Sequence, residues 1–324
     1  MPRTLPPDFA GTARQRTEIL LATYNSADYL QLMLDSLAAQ TFRDFHLIVS
    51  DDMSTDGTVA LVEAAAGKFQ HPVEIIRRTT PSGSASANFG TLLARSEADY
   101  VLLADHDDIW FPGKVERAIA RIRAVEARKG TDMPVMTHSD LCVINADGMQ
   151  TAPSYWSFKS IDPRAGQRLG TALVYPTVTG CAMAMNRALV ARTGVIPEQS
   201  LMHDWWINLV AASFGEVDYD PEPQILYRIH GRNVSKPRRT SLFHSAMQFD
   251  RYQRLHNILH KRVSQGSAFR ERYLSDLPAD ARKTVEVFAS LPSSGPLSRR
   301  WKLLKGGFFM PRQWWRNLTY LAFA

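Results

Sequence analysis

Cysteine is scarce in this 324-residue chain. Only Cys142 and Cys181 occur, each inside an apolar stretch, which argues against a disulfide framework and for buried free thiols in a reducing compartment. Long apolar runs are missing as well. No uninterrupted stretch reaches the roughly 18 apolar residues of a membrane-crossing helix, and the N-terminus lacks the charged-then-apolar pattern of a secretory signal. The expectation is a protein that stays in the cytoplasm. There is no internal repeat or low-complexity tract. With 45% hydrophobic and 22% charged residues, the composition argues against disorder or a fibrous architecture. The length points to one large domain with an appendage.

The net charge of +6 is unevenly placed. Residues 236–324 hold 17 Lys and Arg against 5 Asp and Glu, a surplus of 12, so residues 1–235 carry a deficit of 6. An acidic body ending in a basic tail implies an anionic partner, either lipid headgroups or nucleic acid, unless the tail is a solvated basic helix pair. Arg299, Arg300, Trp301, Lys302, Phe308, Phe309, Trp314, Trp315 and Tyr320 interleave cations with aromatics. That mixture suits peripheral contact of residues 299–324 with the anionic inner face of the cell membrane. The alternative is docking of these aromatics onto the body or a partner. No recognised nucleic-acid module accompanies the tail, so a nucleic-acid partner is not expected.

Residues 1–16 have no apolar periodicity and read as a flexible leader. Thereafter short apolar runs alternate with amphipathic segments. The runs 18–24, 45–50, 73–78 and 100–104 are of the kind expected for strands buried on both faces. Helical spacing marks 26–40, with Ser26 as its cap and Leu30, Met33, Leu34 and Leu37 as its buried stripe, then 55–69, 88–95 and 112–128. This alternation predicts an α/β fold with a mostly parallel, Rossmann-like central sheet and flanking helices. Beyond Met133 the pattern predicts strands at 135–144, 181–185 and 225–228 and a helix at 203–214. Two or three helices, one at 243–260, follow as a C-terminal extension.

Ligands of such sheets collect outside the carboxyl ends of the strands. Two acidic clusters fall there, Asp51-Asp52 and Asp105-His106-Asp107-Asp108. Grouped carboxylates repel and call for a cation or hydrogen-bond donors. Oxygen ligands favour Mg²⁺ or Mn²⁺, whose open positions suit a diphosphate. A solvated acidic turn is the plainer alternative.

The runs ATYNSADYLQLMLDSLAAQTFRDFHLIVSDDMSTDGT, SASANFG and YVLLADHDDIWFPGKVE together resemble the family 2 glycosyltransferases, particularly the rhamnosyltransferase-like bacterial members. The resemblance covers about two thirds of the chain, with four motifs in order. It implies a GT-A fold over residues 17–235, with a nucleotide-sugar half at 17–130 and an acceptor half at 131–235. Residues 236–324 form the basic helical extension. Thr23, Tyr24, Asn25, Asp51, Asp52 and Asn88 would lie at the nucleotide-sugar site, with Asp105 and His106. Asp107, supported by Asp108, would ligate the metal. In Tyr227-Arg228-Ile229-His230-Gly231-Arg232-Asn233, similar to the subfamily's YRxHxxN element, His230 would be a third metal-site residue.

Asp204, at the start of the 203–214 helix, matches the family's general base; apart from the resemblance it is an acidic residue favoured by the helix dipole. His203, Trp205 and Trp206 flank it, and one tryptophan is expected on the sugar and one in the core. Thr179 and Gly180 match the segment beside the donor sugar on the acceptor side. The implied activity is inverting transfer of a sugar, rhamnose by subfamily likeness, from a nucleotide-diphosphate donor to a glycan or lipid-linked acceptor in cell-surface polysaccharide synthesis. A sugar-nucleotide-binding protein without turnover, or a nucleotidyltransferase, are the rival readings. Two departures stand out: Ala22 where the family has Pro, and Met53 where it has Gly, a position at which positive φ would strain the chain.

Overall fold

The computed structural model describes residues 15–231, 248–314, 317, 318 and 321. The chain opens with β1 (Thr17–Thr23), α1 (Ala27–Ala38), β2 (His46–Asp51), α2 (Thr58–Ala65) and β3 (Glu74–Arg77). It continues with α3 (Ala85–Arg95), β4 (Tyr100–Asp105), β5 (Ile109–Trp110) and α4 (Lys114–Lys129). Next come β6 (Val135–Ser139), β7 (Cys142–Ile144), β8 (Gln150–Ala152), α5 (Tyr155–Lys159), α6 (Leu169–Val174) and β9 (Met183–Asn186). Then follow α7 (Arg187–Thr193), α8 (His203–Phe214), β10 (Glu216–Asp220) and β11 (Ile225–Arg228). The extension comprises α9 (Gln248–Tyr273), α10 (Ala279–Ala289) and α11 (Pro296–Lys305).

Seven strands form the central sheet in the order β10-β6-β9-β4-β1-β2-β3. All neighbours pair in parallel except β9, which is antiparallel to both β4 and β6. The expected mostly parallel sheet is therefore present. β1, β2 and β4 are buried along most of their length, which is why they read as continuous apolar runs. A smaller sheet, β5-β11-β7-β8, stands beside the carboxyl edge. One core layer gathers α1, α4 and the β1, β2 and β4 side chains on their side of the sheet. The other gathers α3, α6 and α8 together with Phe269, Tyr273, Phe288, Leu303 and Phe308 of the extension.

Several boundaries differ from the sequence reading. The predicted strand 135–144 is two strands in two sheets, because the Asp140 carboxylate collects the amides of Leu141 and Trp156 and the Ser154 hydroxyl and turns the chain between them. α3 begins at Ala85, three residues early, where the Ser84 hydroxyl accepts from the Ala87 amide at 3.1 Å. Ser26 sits at the start of α1 but makes no side-chain cap; its hydroxyl accepts from the Tyr24 amide instead. Cys181 lies in a short 3₁₀ turn ahead of β9. Cys142 and Cys181 are both free, although Cys142 is only partly buried. Strands β8 and β10 are polar enough to have escaped notice.

Within the leader, residues 1–14 lie outside the described residues, whereas Arg16 is pinned: its carbonyl accepts from the amides of Asp99 and Tyr100. The 235/236 boundary and the start of the predicted 243–260 helix also lie outside them. α9 continues to Tyr273, well past His260.

Gly215 ends α8 so closely against Pro134 that a Cβ there would lie 1.9 Å from the Pro134 carbonyl oxygen. The same oxygen accepts from the Glu216 amide at 2.9 Å and starts the β10–β6 pairing. Gly215→Ala is therefore expected to cost roughly 2–4 kcal/mol in urea unfolding. Gly57→Ala, with open space around its Cβ, should stay within about 0.5 kcal/mol of wild type.

Candidate active site

Strand register brings the acidic clusters together. Thr23 pairs with Asp51 and Ala22 with Asp105, so both clusters leave the same edge of the sheet. Because β9 runs antiparallel to β4, the Thr179–Ala182 turn that precedes it lies at that edge too.

At β1 and β2 the side chains are tied into two turns. Thr23 Oγ1 donates to Asp51 at 3.0 Å, and Asp51 also accepts from the Ser54 amide and hydroxyl. Asp52 accepts from the Ser82 amide and hydroxyl and pairs with Arg78 at 3.3 Å. Asn25 (φ 46°) accepts from the Thr55 amide through its side chain. Met53 adopts φ 64°, so the turn keeps the left-handed geometry that glycine tolerates, at the strain cost of a non-glycine residue. Tyr24 projects into solvent above this floor. Asn88 is buried, accepting from the Ser50 hydroxyl and donating to its carbonyl, so it fastens α3 to β2.

After β4, which ends at Asp105, the chain turns through three polar residues. His106 sits partly exposed at the rim. Asp107 accepts or shares a proton with His230 Nε2 at 2.8 Å. Asp108 is fully buried and accepts from the Arg228 amide at 3.1 Å. Ligand atoms of Asp105, Asp108 and Cys181 all lie within 4.8 Å of one another. Burial, then the charges of Asp107 and Asp204, push the Asp105 carboxyl up to about 7. Burial and the neighbouring Asp107 and Asp105 push Asp108 well above the carboxylate range. Such a group is stabilised by a divalent cation, and hard oxygen donors with one imidazole fit Mg²⁺ or Mn²⁺.

Asp204, in the first turn of α8, is held by two amides: Gly180 N donates to Oδ2 at 3.0 Å and Trp205 N to Oδ1 at 2.7 Å. A Cβ at Gly180 would lie 2.9 Å from His203 Nε2 and 3.4 Å from Asp204 Cβ, so only glycine allows this approach. Thr179 leads into the same turn, its carbonyl accepting from Ala182. His203, Trp205 and Trp206 are all buried. His203 is buried and stacks on Phe89 with centroids 4.2 Å apart. The Trp205 indole donates to the Ala172 carbonyl, and Trp206 is enclosed against Phe269 and Tyr273. α6 packs against Trp205 and α9 against Trp206.

Sequence reasoning missed the residues that support the cluster. Arg228 is buried: Nε donates to the Asp107 carbonyl at 3.0 Å and Nη1 to the Asn145 and Ala146 carbonyls, with the guanidinium 4.6 Å over the Tyr29 ring. Lys114 is buried 3.9 Å over the Trp110 ring, and burial pulls its ammonium down to about 8. Tyr155 lies close enough to Asp204 for that charge to add to the upward shift that burial gives its phenol. Nothing in the spacing of these residues marks them as buried supports.

Arg228→Met removes the donors that hold the Asp107 turn from behind. Titration calorimetry should show Mn²⁺ affinity falling roughly 10–100-fold, with partial recovery in Arg228→Lys. Unchanged affinity would reduce Arg228 to a support of the fold.

The family model "Glycosyl transferase family 2" matches residues 18–193, more than half of the chain. A dTDP-rhamnosyl transferase, RfbG of Shigella flexneri, is 31% identical over 218 residues, 66% of this chain and 72% of that protein. The putative glycosyltransferase EpsE of Bacillus subtilis is 28% identical over 105 residues, 32% of this chain and 37% of its own length. Among solved structures, S. aureus TarS in complex with UDP-GlcNAc superposes with a TM-score of 0.52 at 16% identity, covering 93% of this chain and 92% of that one. The mannosyltransferase PcManGT from Pyrobaculum calidifontis, in complex with GDP-Man and Mn²⁺, gives 0.53 at 19% identity, covering 96% and 86%. The catalytic edge described above thus belongs to a glycosyltransferase of family 2, built on the GT-A fold.

Proposed function

We propose that this enzyme inverts configuration as it transfers a sugar from a nucleotide diphosphate to the hydroxyl of a glycan or lipid-linked acceptor, in cell-surface polysaccharide assembly at the inner membrane face. One observation carries the reading: the Gly180 amide binds Asp204 of α8 at 3.0 Å while its neighbour Cys181 has its sulfur within 4.8 Å of the Asp105 and Asp108 carboxylates, so Asp204 reaches the turn after β4 from a separate element. That arrangement supplies a base on one side and a diphosphate-metal site on the other.

The floor built by Thr23, Asn25, Asp51 and Asp52, with Tyr24 above it, is assigned to the base and ribose. Asp105 and His106 face the donor beyond. Asp107 and His230, with Asp108 behind them, would hold Mg²⁺ or Mn²⁺. Such an ion supplies charge stabilisation to the departing diphosphate. Asp204, oriented by the Gly180 and Trp205 amides, removes the acceptor proton as its oxygen attacks the anomeric carbon opposite the leaving group. No protein nucleophile is needed. Rhamnose from a dTDP donor is favoured by the likeness to RfbG.

Asp204→Asn keeps the shape and loses the base, so turnover should fall roughly 10²- to 10⁴-fold. Donor affinity, read by thermal shift against a panel of dTDP-, UDP- and GDP-sugars with Mn²⁺, should persist. Normal turnover by the purified variant would remove Asp204 as base, and turnover surviving exhaustive chelation would remove the metal role.

A further inference from the structure

The exposed apolar side chains are unevenly distributed. Among the described residues, Leu297, Trp301, Leu304, Trp314 and Leu318 are all large, apolar and exposed within one short stretch of the extension. Leu297, Trp301 and Leu304 follow i, i+4, i+7 spacing and share one face of α11, while Leu303 on another face enters the core. Trp301 is 62% exposed and Trp314 71%, whereas Trp110, Trp156, Trp205 and Trp206 are buried. Exposed tryptophan is thus a property of this patch among the described residues.

The charge of the same stretch has one sign. Residues 287–324 contain six Lys and Arg and no Asp or Glu. Arg299, Arg300 and Lys302 brace the helix, donating to the carbonyls of Leu291, Ser294 and Leu321 and to the Ser290 and Ser294 hydroxyls. Lys305, in the last turn, is exposed. An isologous dimer across this face would press like charges together, which disfavours a second copy as its occupant.

The extension is also firmly joined to the catalytic body. Leu303 and Phe308 share a core cluster with Trp205 and Trp206 of α8, whose first turn carries Asp204. Gln313 Nε2 donates to the Tyr175 hydroxyl at 2.9 Å and the Lys159 carbonyl at 3.2 Å, and Arg312 Nη1 to the Ile161 carbonyl at 3.2 Å. Whatever holds α11 therefore holds the body that carries Asp204.

We infer that the Leu297–Trp301–Leu304 face of α11, with Trp314 and Leu318, docks on an anionic lipid bilayer. Trp and Leu side chains enter the boundary between headgroups and acyl chains, and the cations stay with the headgroups. This deepens the transferase reading and rests on it in one respect: it holds the base side of the pocket in a fixed pose to a lipid-linked acceptor in the same surface.

The test is flotation of the full chain with vesicles of phosphatidylcholine, alone or mixed with phosphatidylglycerol. Wild type should float with the mixed vesicles and far less with the neutral ones. The Trp301→Ser/Leu304→Ser double variant should lose at least about 10-fold in partitioning, with an unchanged melting temperature. Val195→Ser, equally exposed elsewhere, should float like wild type. Equal flotation of the double variant, or none by wild type, overturns the proposal. So does a wild-type dimer that the double variant dissolves in sedimentation, since it gives the face to a second copy. Flotation needs neither donor nor metal, so an inactive protein that floats sinks only the transferase reading, and an active one that does not float sinks only this proposal.

Discussion

Crowded carboxylates at the end of β4 are the constraint around which the rest of the protein is arranged. Asp105, Asp107, Asp108 and, from α8, Asp204 converge where solvent is largely excluded, and their mutual repulsion adds to the cost of burial. A fold can hold such a group only by surrounding it with donors. Here these come from separate elements: the Arg228 amide from β11, the Gly180 and Trp205 amides around α8, and the His230 ring beyond β11. The small second sheet exists in part to deliver Arg228 and His230, since β11 pairs with β5, which directly follows the acidic turn. The remaining imbalance is what a divalent cation and a diphosphate would neutralise together.

The same logic explains the unusual backbone at the neighbouring strand end. Asn25 and Met53 both have positive φ, and both flank side chains that bind loop amides. Two turns are cross-linked through Asn25, Ser54 and Asp51, so strain at Met53 is distributed over a network of short hydrogen bonds. The result is a stiff ledge beside the cluster, with the Tyr24 and Met53 side chains exposed on it.

What could be read from the sequence followed physical periodicity. β1, β2 and β4 announce themselves as buried runs, and α1, α4 and α8 as stripes, so the parallel core and the edge where chemistry collects were legible. Polar strands such as β10 were not, because Glu216–Asp220 gains its place from pairing with β6 and from Arg117 and Arg121 binding Asp220 and Asp218. The acidic residues were visible through their grouping. Their supports were invisible: nothing in the spacing of Arg228 or Lys114 says that a guanidinium or an ammonium will be buried beneath carboxylates. The tryptophans beside Asp204 misled for a related reason. A Trp next to a catalytic position has the same letter whether it meets a sugar or a second layer of helices, and the helices that enclose Trp205 and Trp206 arise far downstream.

Those downstream helices bear on catalysis through rigidity. An Asp204 carboxylate aimed by two amides is useful only if α8 does not shift, because a base must stay within hydrogen-bond reach of its proton. α8 is anchored on one side by α6 and on the other by Phe269, Tyr273 and the residues behind them. The extension is therefore the outer wall that steadies α8, and with it Asp204, beside the β4 carboxylates.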